Sequence, residues 1–93
     1  MIHREGSRMA LSGPVTLANA HQVLEEGRRL LAEGVETVDL AGVTEMDSAL
    51  LALLLAWQRD AAQRSATLAL ANEPQALRTI ARLYGVNELL GHA

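Results

Sequence analysis

Three side chains in the middle of the chain could carry chemistry: Asp39, Asp47 and Ser48. Paired carboxylates can act as a general acid and a general base, and a serine hydroxyl can cap a helix or accept a phosphoryl group. Neither a base nor a glycine-rich loop that would form a pocket accompanies the two acids. The spacing therefore predicts an exposed pair of acids in a loop, no catalytic residue and no enzymatic activity.

The histidines predict no metal site and no cofactor. His3, His21 and His92 are far apart in the sequence, and no two of them have the i, i+4 spacing that a metal site uses. The chain has no cysteine, which excludes a thiolate metal site, a disulfide framework and a cysteine nucleophile. All eight basic residues are arginines, so no lysine is present to form a Schiff base or to serve a phosphate-binding loop.

Composition indicates one small domain over residues 1–93, because 49% apolar residues in this length are enough for a single core. A net charge of -3 and only two aromatic residues, Trp57 and Tyr84, argue against nucleic acid as a partner. The longest apolar run covers residues 49–57, well short of the roughly twenty residues that span a bilayer. With no apolar run typical of a signal peptide among residues 1–10, we expect a cytoplasmic protein whose membrane contact is only indirect.

The elements that must position these residues follow from hydrophobic periodicity and turn chemistry. Gly6-Ser7 predicts a β-hairpin of residues 1–5 and 8–12, and Gly13-Pro14 is expected to end its second strand. An apolar helical stripe predicts a first helix over residues 17–33, capped by Thr16 and ended by Gly34.

The second half of the chain alternates strands and helices. A strand over residues 35–40 is expected to close at Ala41-Gly42, and a second helix over residues 49–64 to begin at Asp47-Ser48. A strand at 67–71, a third helix from Glu73-Pro74 to Gly85 and a short turn within residues 86–93 complete the chain. The third helix should bury Leu77, Ile80, Ala81 and Tyr84. This order predicts an α/β fold, a mixed sheet of about four strands with an N-terminal hairpin and helices mainly on one face.

Residues 39–54 carry a family resemblance. Asp39-Leu40-Ala41 at a strand end, followed after a short loop by Asp47-Ser48 at a helix start, is similar to the signature of STAS domains. That family includes bacterial anti-sigma factor antagonists and the B subunit of the Mla phospholipid-transport complex. Ala41 and Leu50 stand where a serine and a glycine are usual, and the leucine-rich residues 51–57 look more like the Mla B subunits.

The resemblance implies a STAS-like fold and a protein-binding role without cofactors. Mla B subunits are cytoplasmic and bind the ATPase of an ABC transporter, which would place this protein peripheral to the inner membrane through that complex. Ser48 then matches the position where a hydroxyl meets the ATPase. The alternative is an anti-sigma factor antagonist that binds a serine kinase and is regulated by phosphorylation of Ser48.

The second helix has more apolar residues than one sheet face can bury. Leu51, Leu54 and Leu55 supply one stripe, and Leu50, Leu53 and Trp57 supply a second. We expect part of this second stripe to contact a partner, although covering by the first or third helix is the competing interpretation, as plain helix capping is for Ser48. Formation of a homodimer through this helix is a further alternative. The predicted partner-binding residues are Thr44, Glu45, Asp47, Ser48, Leu50, Leu53 and Trp57.

Overall fold

The computed structural model describes residues 1–90, and it confirms the predicted order of strands and helices. Residues 91–93, which include His92 and the end of the predicted final turn, lie outside the described residues. In chain order the elements are β1 (Ile2–Glu5), β2 (Arg8–Val15), α1 (Ala20–Ala32), β3 (Thr37–Met46), α2 (Ser48–Gln63), β4 (Ala69–Ala71), α3 (Gln75–Leu83) and a short 3-10 helix (Asn87–Leu90).

The sheet has the mixed topology expected of a hairpin followed by helical crossovers. Its strand order is β1-β2-β3-β4; β1 and β2 are antiparallel, and β3 runs parallel to both β2 and β4. Along β2 and β3, the buried residues alternate with exposed or half-buried ones. The buried residues join those of the helices in one apolar core, so the helices pack on one face of the sheet. The buried sheet residues are Met9, Leu11, Val15, Val38 and Leu40.

The second strand does not end at Gly13-Pro14, contrary to the sequence prediction. β2 continues to Val15, and its pairing with β3 shifts register between Gly13 and Pro14. The shift leaves Thr44 as the extra residue on β3, and Gly13, on the opposite strand, has a φ of +78°, a conformation that suits glycine. A strand can keep pairing across a proline when a bulge absorbs the missing amide donor. The two breaker residues therefore bend β2 without ending it.

The third strand also runs past its predicted end at Ala41-Gly42. β3 reaches Met46, which pairs with Val15. Gly42 permits this close pairing, because a Cβ there would lie only 2.8 Å from the carbonyl oxygen of Leu11. Since β2 and β3 lengthen together, the end of β3 delivers the chain directly to the start of α2.

Helix α1 begins three residues later than predicted. Residues 16–19 form a turn in which the Asn19 side-chain oxygen accepts a hydrogen bond from the Thr16 amide at 3.0 Å. The Thr16 hydroxyl accepts from the Ala18 amide at 3.3 Å, so it stabilises this turn and does not cap α1. As a result, Leu17 projects from a loop and is 81% exposed.

The C-terminal elements differ from the prediction in two places. β4 spans only Ala69–Ala71, two residues shorter than expected. Leu77 and Ala81 are fully buried on α3 as predicted, but Tyr84 is 64% exposed. Gly85, with φ of +71°, turns the chain back so that the Val86 amide donates to the Ala81 carbonyl oxygen. Val86 and Leu90 then pack against the core, whereas Tyr84 does not.

Candidate functional site

Asp47 forms the junction between the start of α2 and the loop that enters α1. It is the N-cap residue of α2, and its carboxylate accepts hydrogen bonds from the Ala49 amide at 2.8 Å and the Leu17 amide at 3.0 Å. The first of these satisfies one of the free amides at a helix start. The second holds the loop before α1 against α2, which fixes the distance between the two helix N-termini.

Ser48 is the first residue of α2, and its side chain is exposed. Asp47 provides the helix cap, and the Ser48 hydroxyl has no hydrogen-bond partner within residues 1–90. Plain capping therefore does not account for this hydroxyl. The amides of the first helical turn lie nearby, where the helix dipole favours negative charge.

An open apolar groove of about 550 Å³ lies between the N-terminal halves of α1 and α2. Asp47 and Ser48 stand at the N-terminal end of α2 in this groove, and His21 lines its α1 side. Alanines at spacings of three and four line its α2 side, so their small side chains leave the groove unfilled. The apolar lining consists of Leu17, Ala20, Leu24, Ala49, Ala52, Leu53 and Ala56.

Trp57 holds α1 and α2 together below this groove. Its ring packs against Gly27, where any added Cβ would overlap the ring atoms, and its N–H donates to the Leu24 carbonyl oxygen at 3.1 Å. A glycine at this position lets the two helices approach closely. The residues that define the groove are thus held by a rigid aromatic contact and by the hydrogen bonds of Asp47.

The sequence profile of the family described as "Mlab, STAS domain" matches residues 1–91. The chain belongs to the STAS domain family. No curated protein gives a significant match to the sequence.

Solved structures share the fold of this STAS domain. The anti-sigma factor antagonist SpoIIAA in its unphosphorylated form is similar with a TM-score of 0.69 and 16% identity, over 89% of this chain and 81% of SpoIIAA. A Thermotoga maritima protein assigned as an anti-sigma factor antagonist is similar with a TM-score of 0.73 and 15% identity, over 95% of this chain and 80% of that protein. At these identities the likeness establishes the fold.

Four of the seven predicted partner-binding residues are exposed in this STAS domain. Thr44 and Glu45 lie near the end of β3, and Asp47 and Ser48 follow directly. The chain thus presents an exposed polar segment beside the apolar groove.

The other three predicted contact residues are buried, which corrects the expectation that part of their stripe is exposed to a partner. Leu50 and Trp57 have no exposed surface, and Leu53 is 3% exposed at the floor of the groove. Trp57 is covered by α1, as in the competing interpretation, because Gly27 lets that helix pack directly against the ring. Of the three, only Leu53 lines the groove, and the STAS domain offers the smaller alanines and Leu17 at its surface.

Asp39 does not form a loop pair with Asp47, contrary to prediction. It lies within β3, where its carboxylate accepts hydrogen bonds from the Asn72 side chain at 3.0 Å and the Ala41 amide at 2.9 Å. Arg8 forms an ion pair with the same group at 3.1 Å. The bonds from Asn72, from Ala41 and from Arg8, in that order of effect, lower the pKa of Asp39 to about 2. Asp39 therefore links β3 to β2 through Arg8 and to the residue that follows β4.

Sequence reasoning missed the α1 side of the groove. Leu17 and Ala20 fall at positions that a continuous helical stripe would bury, so the pattern gave no signal that a turn exposes Leu17.

Within residues 1–90, no group of three or more metal-ligating side chains assembles that could hold an ion. None of the helices described there is long and apolar enough to cross a membrane.

Proposed function

We propose that this STAS domain is a non-catalytic interaction subunit that binds a partner polypeptide through the groove between α1 and α2. The favoured partner is the ATPase of a bacterial ABC phospholipid-transport complex of the Mla type. The observation that carries this proposal is the open apolar groove of about 550 Å³ with an exposed serine hydroxyl at its end.

The groove has the properties of a protein-binding surface. Contact surfaces commonly combine an apolar centre with polar groups at the rim, and here the apolar lining adjoins Asp47 and Ser48. Leu17 is 81% exposed, and burying such a leucine beneath a partner side chain contributes about 1.5 to 3 kcal/mol. One or two large apolar side chains of the partner would fill the space that the alanines leave open.

The polar residues of the groove do not form a catalytic triad. Asp47 accepts hydrogen bonds from two backbone amides, and within residues 1–90 no hydrogen bond joins it to an imidazole. Within residues 1–90, no hydrogen bond joins His21 to Ser48. A nucleophilic serine needs a base in hydrogen-bond contact, itself oriented by a third group. Binding therefore fits this arrangement better than acyl transfer does.

The family profile that matches residues 1–91 is described as Mlab, and this description supports a transporter of the Mla type as the partner. In this proposal the protein is cytoplasmic, and it reaches the inner membrane only through the transporter complex. Ser48, with Thr44 and Glu45 on the adjoining strand end, would contact the ATPase beside the groove.

Co-expression with the ATPase of an Mla-type transporter from the same genome tests the proposal. We expect the two proteins to co-purify as a stable complex. Ala52→Arg places a large charged side chain in the groove and should abolish co-purification, whereas the matched Ala32→Arg lies at the exposed end of α1 and should not. Equal behaviour of the two variants would assign the contact to another surface.

A second function, an anti-sigma factor antagonist, is favoured by the exposed Ser48 hydroxyl at the first turn of α2. A serine kinase would transfer the γ-phosphoryl group of ATP to the Ser48 oxygen. The added charge of about -2 lies at a helix N-terminus, which tolerates it, but it would repel acidic groups of a docked partner. Incubation with candidate kinases and ATP should then add one phosphate to the protein and none to Ser48→Ala.

A further inference from the structure

The arginines of this protein divide into two groups. Those in the first half of the chain all form ion pairs, as in Arg4–Glu33 at 2.7 Å and Arg28–Asp60 at 2.8 Å. Those in the second half are all exposed, and among residues 1–90 none of them has an acid within ion-pair distance. This second group consists of Arg59, Arg64, Arg78 and Arg82.

The acids are distributed in the opposite way. Residues 1–47 contain eight acids and four arginines, whereas residues 48–93 contain three acids and four arginines. Of those three acids, Asp60 already pairs with Arg28 on α1. The half of the chain that contains α2 and α3 therefore presents unneutralised positive charge in a protein whose net charge is -3.

A second groove, of about 530 Å³, lies beside the C-terminal half of α2. It is separate from the first groove, since the two share no lining residue. Leu55, Ala62 and Leu89 supply apolar surface, and the unpaired Arg59 and the acid Glu88 line the same groove. The groove thus combines apolar surface with a cation that has no ion-pair partner among residues 1–90.

Exposed apolar side chains are concentrated in the part of the chain that leads up to Leu89 in this groove. Three of the five large hydrophobic residues that are exposed in the described chain fall between residues 83 and 89. Leu89 is 62% exposed and lines the groove; Leu83 and Tyr84 end the adjacent helix α3, which contacts the 3-10 helix that carries Leu89. Tyrosine and arginine are the residue types that interfaces favour.

We propose that this second groove is a docking site for an amphipathic segment of a partner polypeptide, one with acidic side chains beside an apolar stripe. Leu55 and Leu89 would contact the apolar stripe, and Arg59 would pair with an acid. Arg78 and Arg82, spaced one helical turn apart on α3, add to the positive field that attracts such a segment. The proposal does not depend on which protein occupies the groove between α1 and α2.

The shape and charge of the groove favour a polypeptide over other occupants. A concave site admits individual side chains, whereas a lipid surface contacts projecting ones. A second copy of this chain is disfavoured because several of its acids, among them Glu25, Glu33 and Asp39, already form ion pairs with its own arginines. An acidic partner segment can insert side chains into a concave site and can supply acids that are free to pair with Arg59.

Two synthetic amphipathic peptides with the same leucine stripe, one flanked by glutamates and the other by lysines, provide the probes. Titrated into the isotope-labelled full-length protein, the acidic peptide should shift amide resonances of residues 55–67 and 87–90, and the basic peptide should not. Arg59→Glu should weaken binding of the acidic peptide about tenfold, as expected for the loss of one ion pair of about 1.4 kcal/mol. Glu88→Gln should strengthen binding of the acidic peptide, because that change removes the one acid among the described lining residues.

Arg29→Glu is the matched control, because it makes the same change of charge at an exposed site on α1. Its effect on the acidic peptide should stay below about twofold at physiological salt, where distant charges are screened. Equal binding of the two peptides, or equal effects of the two arginine variants, would overturn the proposal. If the protein binds phosphatidylglycerol vesicles and does not respond to the acidic peptide, the proposal is overturned in favour of a membrane surface. If the protein dimerises and Arg59→Glu abolishes the dimer, the proposal is overturned in favour of a second copy of this chain.

Discussion

Gly27 and Trp57 form the contact on which the arrangement of α1 and α2 depends. At an ordinary position inside a helix, replacing glycine with alanine stabilises a protein, because glycine is the weaker helix former. Here an added Cβ would overlap ring atoms of the fully buried Trp57. A rigid indole inside a packed core cannot move aside without disturbing its neighbours.

We therefore expect Gly27→Ala to lower the free energy of unfolding by about 1 to 3 kcal/mol, the usual cost of overpacking. Urea denaturation followed by circular dichroism measures this. In a Trp57→Leu background the same substitution should become neutral or stabilising, because the smaller side chain removes the overlap. An equal loss in both backgrounds would show that the glycine matters for some other reason.

Asp39 predicts a dependence of stability on pH. Its pKa in the folded protein is lowered from the usual 3.8 to about 2, so its charged form is stabilised by folding. That contribution is fully present above pH 4 and is lost as the pH falls through about 2. The free energy of unfolding should decrease over this window, and Asp39→Asn should show a smaller decrease. Identical acid profiles of the two proteins would rule out Asp39 as the source.

At the level of elements, Asp47 connects the start of α2 to the loop that precedes α1. Asp47→Ala removes both the cap of α2 and the bond to the Leu17 amide, and it should destabilise the protein by about 1 to 2 kcal/mol. Ser48→Ala is the adjacent control and should change stability by less than about 0.5 kcal/mol, since its hydroxyl is exposed and does not cap the helix. Chemical denaturation compares the two, and similar losses would mean that the serine shares the capping role.

The elements themselves were largely predictable, and their ends were less so. Residue periodicity identified every strand and helix, because the apolar alternation of β3 and the stripes of the helices are local properties of the sequence. Gly13-Pro14 and Ala41-Gly42 were wrongly predicted to end strands. Each pair alone is a breaker, but the strands that contain them pair with each other and continue past both. That mutual pairing is a long-range property, which no local pattern records.

The same distinction applies to the candidate site. The start of α2 at Asp47 and Ser48 was predictable from capping preferences. The burial of Leu50, Leu53 and Trp57 was not, because it depends on how closely α1 approaches, and that is set by one glycine 30 residues before the tryptophan. Sequence patterns count the apolar residues of a helix, whereas tertiary packing decides which of them reach solvent.

At the level of the whole molecule, the apolar residues that form the core differ from the exposed one in the proposed binding groove. The core buries its large side chains almost completely, while Leu17 is 81% exposed at the groove between α1 and α2. An exposed leucine contributes little to folding, so its side chain can be removed without loss of the fold. Its backbone amide would still donate to Asp47, because the substitution leaves the main chain intact.

Leu17→Ser should therefore leave the free energy of unfolding within about 0.5 kcal/mol of the unmodified protein. It should also weaken binding of the transporter ATPase about tenfold or more, since the leucine no longer supplies about 1.5 to 3 kcal/mol on burial. Leu83→Ser makes the same change at a second exposed leucine, at the end of α3, and should keep full affinity. Titration calorimetry measures both affinities. A loss caused equally by the two variants would place the ATPase contact outside the groove, and a loss confined to Leu17→Ser assigns the groove to binding, because folding is unaffected.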